Sequence, residues 1–198
     1  MLRIDLDILQ QWITPDSRVL DLGCGQGDLL RALTDNHQII EGYGLEIDPE
    51  NIATCIGKGV NVIEQDLDEG LSNFADDSFD TVVMTYSLQV LRRPDLMIDE
   101  MLRVGRECIV TFPNFGHIRT RCSLLFRGRM PVTKQLAHQW YDTPNIHFCT
   151  VRDFEDLCRL KGIRILDRSV VAEQNPDKAL KALWPNAFGT TAIYRLTR

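Results

Sequence analysis

The sequence predicts an α/β protein built on a doubly wound, mostly parallel sheet. Three observations carry that reading. Short apolar runs of strand length alternate with stretches of helical period through the first 112 residues. A glycine cluster, Gly23-Cys24-Gly25-Gln26-Gly27, directly follows the first such run and opens a helix. Strand, helix, strand in this rhythm means parallel pairing, because each right-handed crossover needs a helix to return the chain.

The elements follow in order. Ile4, Ile8, Leu9, Trp12 and Ile13 share one helical face, and Thr14-Pro15 ends that helix. Arg18–Leu22 is a buried strand running into the glycine turn, and Leu29, Leu30 and Leu33 mark the helix beyond it. A strand from about Tyr43 to Ile47 comes next. Asp48 then supplies an N-cap and Pro49 a first-turn proline for a helix that Gly59 closes. Val60–Ile63 is a third strand, Phe79–Met84 a fourth and Cys108–Phe112 a fifth, with a helix from about Pro94 to Arg103 before the fifth. From 113 to 149 the rhythm breaks at Pro113, Gly116, Gly128, Pro131 and Pro144. That stretch is too long for an ordinary connection and is expected to be a functional insertion or lid. Thr150-Val151-Arg152-Asp153 has the form of a capping box, opening a helix with Val151, Phe154, Leu157 and Cys158 inward. Strands near Ile163–Leu166 and Ala192–Leu196 finish the chain. The expectation is one domain over residues 1–198 with an insertion at about 113–149.

Composition bounds the function. The 198 residues hold 22 Lys and Arg against 28 Asp and Glu, a net charge of −6. With 44% hydrophobic residues the chain is neither a disordered segment nor a small disulfide scaffold. The acidic balance argues against a nucleic-acid partner, which needs a dominant basic field. No apolar run approaches the roughly 18–20 residues of a membrane span, and Asp5 and Asp7 interrupt any secretory leader. Six scattered cysteines without a C-x-x-C pair suggest reduced thiols, no metal site and a cytoplasmic setting.

The glycine turn carries the sharpest chemistry. Glycines at alternate positions let the chain bend tightly while a ligand approaches bare backbone; a purely structural turn is the competing reading. Asp21 precedes the turn, and Glu46 ends the next strand 23 residues after Gly23. A dinucleotide fingerprint needs Gly or Ala where Asp28 stands, and an acid there opposes a pyrophosphate. Asp21 suits a ligand with a cationic group. S-adenosylmethionine has an ammonium, a sulfonium and no phosphate. Glu46 is placed to accept from both ribose hydroxyls, and Asp66 from the adenine amino group.

The run Val19-Leu20-Asp21-Leu22-Gly23-Cys24-Gly25-Gln26-Gly27, with Gly44-Leu45-Glu46-Ile47-Asp48-Pro49, Gln65-Asp66 and Ser78-Phe79-Asp80, resembles the class I S-adenosylmethionine-dependent methyltransferases. The resemblance covers about residues 17–112. It implies a Rossmann-like sheet of seven strands with the last antiparallel and helices on both faces. The cofactor-binding residues it implies are Asp21, Gly23, Cys24, Gly25, Gly27, Glu46, Ile47, Asp66 and Leu67, for S-adenosylmethionine or S-adenosylhomocysteine.

A narrower similarity runs through Gly42-Tyr43-Gly44-Leu45-Glu46-Ile47, Asn61–Leu71, Phe112-Pro113-Asn114-Phe115-Gly116-His117 and Trp140–His147. These segments look like the MetW family of methionine biosynthesis proteins. That resemblance implies a role at the homoserine O-acylation step, with a homoserine O-acyltransferase as partner. Position 26 is Gln where many relatives have an acid, and its side chain still offers an acceptor.

Residues 108–141 contain no acid, yet include Arg119, Arg121, Arg127, Arg129 and Lys134, while the rest of the chain holds 17 basic and 28 acidic residues. A solvated basic loop is the plain reading. The functional one is a docking surface, with Arg127 and Arg129 at its interface, because Leu124, Leu125, Phe126, Met130, Trp140 and Tyr141 interleave with the charges. Substrate or lid candidates are Tyr86 after the fourth strand, Asn114 and His117 after the fifth, and Tyr141 and His147 in the insertion. None completes a recognisable acid–base set. Thr85-Tyr86-Ser87-Leu88 stands where amino-group methyltransferases carry an N-P-P-F/Y motif. The catalytic residues therefore stay unassigned. The competing functions are a regulatory binding protein, an active methyltransferase on a small, carboxylate-bearing acceptor, and a dinucleotide oxidoreductase, which Asp28 disfavours.

Overall fold

Seven strands form a single sheet in the order β3-β2-β1-β4-β5-β7-β6. The computed structural model describes residues 4–36, 38–133, 136–172, 180 and 182–198; Lys134, used in the sequence reading, lies outside them. The strands are β1 (Ser17–Leu22), β2 (Ile39–Glu46), β3 (Asn61–Glu64), β4 (Phe79–Thr85), β5 (Gly105–Pro113), β6 (Arg164–Val171) and β7 (Thr191–Thr197). The first five pair in parallel. β7 runs antiparallel to both β5 and β6, so it alone is reversed. This is the sheet of a class I methyltransferase fold.

Helices α1 (Ile4–Trp12), α2 (Asp28–Asp35), α3 (Pro49–Gly57), α4 (Pro94–Val104), α5 (Ile118–Cys122) and α6 (Val151–Lys161) connect and cover the strands. Successive strand residues face opposite sides, so each central strand feeds two cores. Leu20, Val82, Met84, Val110 and Phe112 enter one, with Met101 of α4 and Phe154 of α6. Val19, Val83 and Ile109 enter the other, with Leu9 of α1 and Leu30 and Leu33 of α2. Burial on both faces explains the near-continuous apolar runs of β1, β4 and β5.

The local signals produced their elements. Asp48 accepts from the Glu50 amide at the start of α3, with Pro49 in its first turn. Thr150 and Asp153 form the reciprocal capping box that opens α6. Two strand boundaries moved. β2 starts at Ile39 and β6 reaches Val171, because neighbouring strands extend pairing past the apolar stretch. Between β5 and α6 lie α5 and a π-helical turn, Ser123–Arg127, which Gly128 ends in a left-handed conformation (φ 59°).

Candidate functional site

The carboxyl ends of β1, β2 and β4 converge on the glycine turn, the place where open α/β sheets bind ligands. Gly23, Gly25 and Gly27 all have positive φ, at 69°, 55° and 74°. Their surroundings separate their roles. A Cβ on Gly23 would fall 2.5 Å from the Ser87 hydroxyl, and one on Gly27 would press on Cys55 and Val60 at 3.0–3.2 Å. Gly25 has nothing within 4 Å of that position. Gly23 and Gly27 therefore let the turn pack, and Gly25 leaves open backbone at its crest.

Glu46 braces that crest. One carboxylate oxygen accepts from the Gly25 amide at 2.8 Å, and the other from the amides of Ile47 (2.9 Å) and Asp48 (3.0 Å). A carboxylate has about four acceptor sites. Three are already engaged, so Glu46 shapes the turn before it meets any ligand. Asp21 is buried below the turn at 1% exposure. Asp66 caps the short helical turn Leu67–Glu69 by accepting from the Asp68 amide, and Leu67 packs on the core beside Gly23. Ile47 is exposed.

Cys24 fits the packing role. Its sulfur fills the space over Gly44 that a Cβ there would need, and lies 4.0 Å from the Cys55 sulfur. Burial, reinforced by the Asp21 charge, pushes its thiol well above the ordinary range. It is a poor nucleophile at neutral pH.

A cavity of about 690 Å³ opens beside the turn. Asp21, Gly23, Cys24, Gly25 and Tyr86 line it, together with Leu6 of α1, Arg31 of α2, Lys58 and Thr85. Glu46, Ile47, Asp66 and Leu67 do not line it; they lie on the β2–β3 side of the turn. Lys58 was invisible to the sequence reading. It donates to the Gln26 carbonyl and pairs with Asp28 from 30 residues away, and no local pattern announces it. Because Lys58 compensates Asp28, the case against a pyrophosphate ligand rests on Asp21 more than on Asp28.

Of the five lid or substrate candidates, Tyr86 alone lines the cavity. It is a non-glycine residue in the left-handed region (φ 55°), and such strain concentrates at functional sites. Its hydroxyl lies 3.0 Å from that of Thr191. Asn114 is a buried tie: its amide donates to the Asn186 and Gly189 carbonyls, and its oxygen accepts from Gly116 and Val151. His117 caps α5 by accepting from the Arg119 amide. His147 reaches the Arg92 carbonyl at 3.3 Å, and its amide donates to Gln89, pinning this strap over the turn after β4. Tyr141 is exposed against Trp140. Arg127 and Arg129 line a separate cavity with Arg119 and Ser123. Among the described residues no cluster of His, Cys, Asp and Glu could hold a metal ion.

The comparison with known families settles the lineage. The family model "Methionine biosynthesis protein MetW" matches residues 3–196. The chain belongs to the MetW family. It is 37% identical over 206 residues to the bifunctional methionine biosynthesis protein MetXA/MetW of Rhodopirellula baltica, a match covering all of this chain and 33% of that protein. The chain thus spans about a third of the length of this MetW relative. Among solved structures, an S-adenosylmethionine-dependent methyltransferase from Archaeoglobus fulgidus superposes with a TM-score of 0.71 at 16% identity, covering 98% of this chain and 91% of that one. The [4+2]-cyclase SpnF superposes at 0.67 and 20% identity, covering 98% and 80%. The fold is therefore shared between a methyltransferase and a cyclase, and the MetW fold alone does not name a reaction.

Proposed function

We propose that this chain binds S-adenosylmethionine or S-adenosylhomocysteine at the glycine turn and uses that site to regulate or support a homoserine O-acyltransferase in the cytoplasm. In this reading the chain is one domain, with residues 113–149 as an insertion. The observation that carries it is the Glu46–Gly25 brace. A buried-edge carboxylate holds the turn so that Gly25 presents open backbone, with Asp21 beneath it to attract an ammonium group. The residues present fit the ligand. Asp21 and the turn would hold its amino-acid portion, and Glu46, Ile47, Asp66 and Leu67 its nucleoside portion. Bound S-adenosylmethionine would supply a sulfonium and an electrophilic methyl group. Feedback by this metabolite, itself made from methionine, is a coherent use of such a site. The partner reading is supported by the Rhodopirellula relative, which carries MetXA and MetW names on one chain.

The test is an acyltransferase assay with the purified partner, with and without this chain, across S-adenosylmethionine concentrations. A rate that depends on the chain and shifts with the ligand is expected; a rate indifferent to both overturns the regulatory reading. A second reading, methyl transfer to a small carboxylate-bearing acceptor, is favoured by the strained Tyr86 at the cavity wall. It requires sustained S-adenosylhomocysteine formation with such an acceptor.

A further inference from the structure

The turn Ser123–Arg127 and the chain leaving it form a basic, apolar face that nothing in the fold uses. Leu125 and Phe126 are adjacent in sequence and 76% and 79% exposed. Large apolar neighbours held out in water mark contact surfaces rather than solvated loops. Gly128 reverses the chain immediately afterwards, and the Ser123 hydroxyl donates to the Arg129 carbonyl at 3.1 Å while the Gly128 amide donates to Leu124. The prongs are therefore presented on a tied turn. Arg127 and Arg129 join Arg119 around a cavity of about 720 Å³ whose lining holds no acid. Several other arginines are paired: Arg103 with Glu100 and Asp76, Arg195 with Glu107 and Asp167, Arg168 with Glu155. Among the described residues Arg127 and Arg129 make no ion pair.

We propose that this face docks the homoserine O-acyltransferase, whose carboxylate side chains enter the arginine-lined cavity while Leu125 and Phe126 seat in an adjoining apolar groove. The proposal rests on the partner reading above and adds the surface and its chemistry. Guanidinium groups match carboxylates in a two-pronged geometry, and two apolar side chains call for a protein surface rather than a free anion. A nucleic acid would face a chain with a net charge of −6. The occupant follows from the Rhodopirellula relative, which carries MetXA and MetW names on one chain.

The experiment is biosensor titration of the full chain against the purified homoserine O-acyltransferase of the same genome. The proposal predicts at least ~30-fold weaker binding for the Arg127→Glu/Arg129→Glu pair and about 10-fold for Leu125→Ser/Phe126→Ser. Arg164→Glu, a control on β6, should stay within about 2-fold. Circular dichroism should show all variants folded. Wild-type binding that survives both double substitutions overturns the surface and leaves the partner reading standing. Absence of wild-type binding overturns both. Wild-type binding to phosphatidylglycerol vesicles that these substitutions abolish, with the protein complex unaffected, assigns the face to a membrane and overturns the docking proposal.

Discussion

The glycine-turn edge and the 113–149 segment are built on opposite principles. At the turn, backbone geometry comes first. Three left-handed glycines, two of them closed over by Ser87 and by Cys55 with Val60, leave Gly25 open, and Glu46 ties its amide to the end of β2. In the 113–149 segment the ends are buried and tied, through Asn114 and the Thr150 cap, while Leu125, Phe126, Trp140 and Tyr141 between them stand in water. One region spends its residues on fixing a shape, and the other on presenting a surface. Substitutions should therefore cost stability at the first and association at the second.

The sharpest way to break this contrast is Gly27→Val. Its Cβ would meet Cys55 and Val60 in a left-handed conformation that a branched side chain resists. A loss of about 3 kcal/mol is expected, read as a drop of roughly 6–12 °C in Tm by calorimetry. An unchanged Tm would mean that the turn is not the rigid part. Glu46→Ala comes next. It removes the acceptor of three amides, so S-adenosylmethionine affinity should fall on the order of 30-fold together with about 2 kcal/mol of stability. If affinity fell with Tm unchanged, Glu46 would be a ligand contact and not a brace.

Asp80 sharpens the same point through pH. It sits on β4 and accepts from the Arg18 amide of β1 at 2.9 Å; that bond and the Arg18 guanidinium hold its carboxyl below the ordinary range. A depressed folded-state value means stability present above the unfolded-state value and lost as pH falls through the folded one. Asp80→Asn should cost about 1 kcal/mol at pH 7 and flatten the decline of stability below about pH 4. Smallest is Leu125→Ser/Phe126→Ser, expected to change stability by less than about 0.5 kcal/mol in chemical denaturation. A larger loss would show that the prongs pack inside the fold.

The two regions also differed in what the sequence revealed. Strand-length apolar runs gave the parallel sheet because both faces of β1, β4 and β5 are buried, and burial writes itself into composition. The spacing Asp21, Gly23, Gly25, Glu46 was readable because neighbouring strand ends bring those residues together. Lys58 was not, since its contact with Gln26 and Asp28 depends on how α3 ends beside α2. Nor were the separate duties of the three glycines, which only their neighbours distinguish. In the 113–149 segment the charge pattern was legible, but the turn that sets Arg127 and Arg129 on one cavity depends on Gly128 reversing the chain. Asn114 and His117 were substrate or lid candidates by their place after the fifth strand, and their hydrogen bonds tie them inside the fold.

The most direct measurement is an isothermal titration of S-adenosylmethionine into the full chain, with NAD titrated in parallel and Asp21→Ala as the variant. Single-site binding of S-adenosylmethionine, weakened in the variant, with no binding of NAD, is the predicted result. Tight NAD binding with none for S-adenosylmethionine would contradict it.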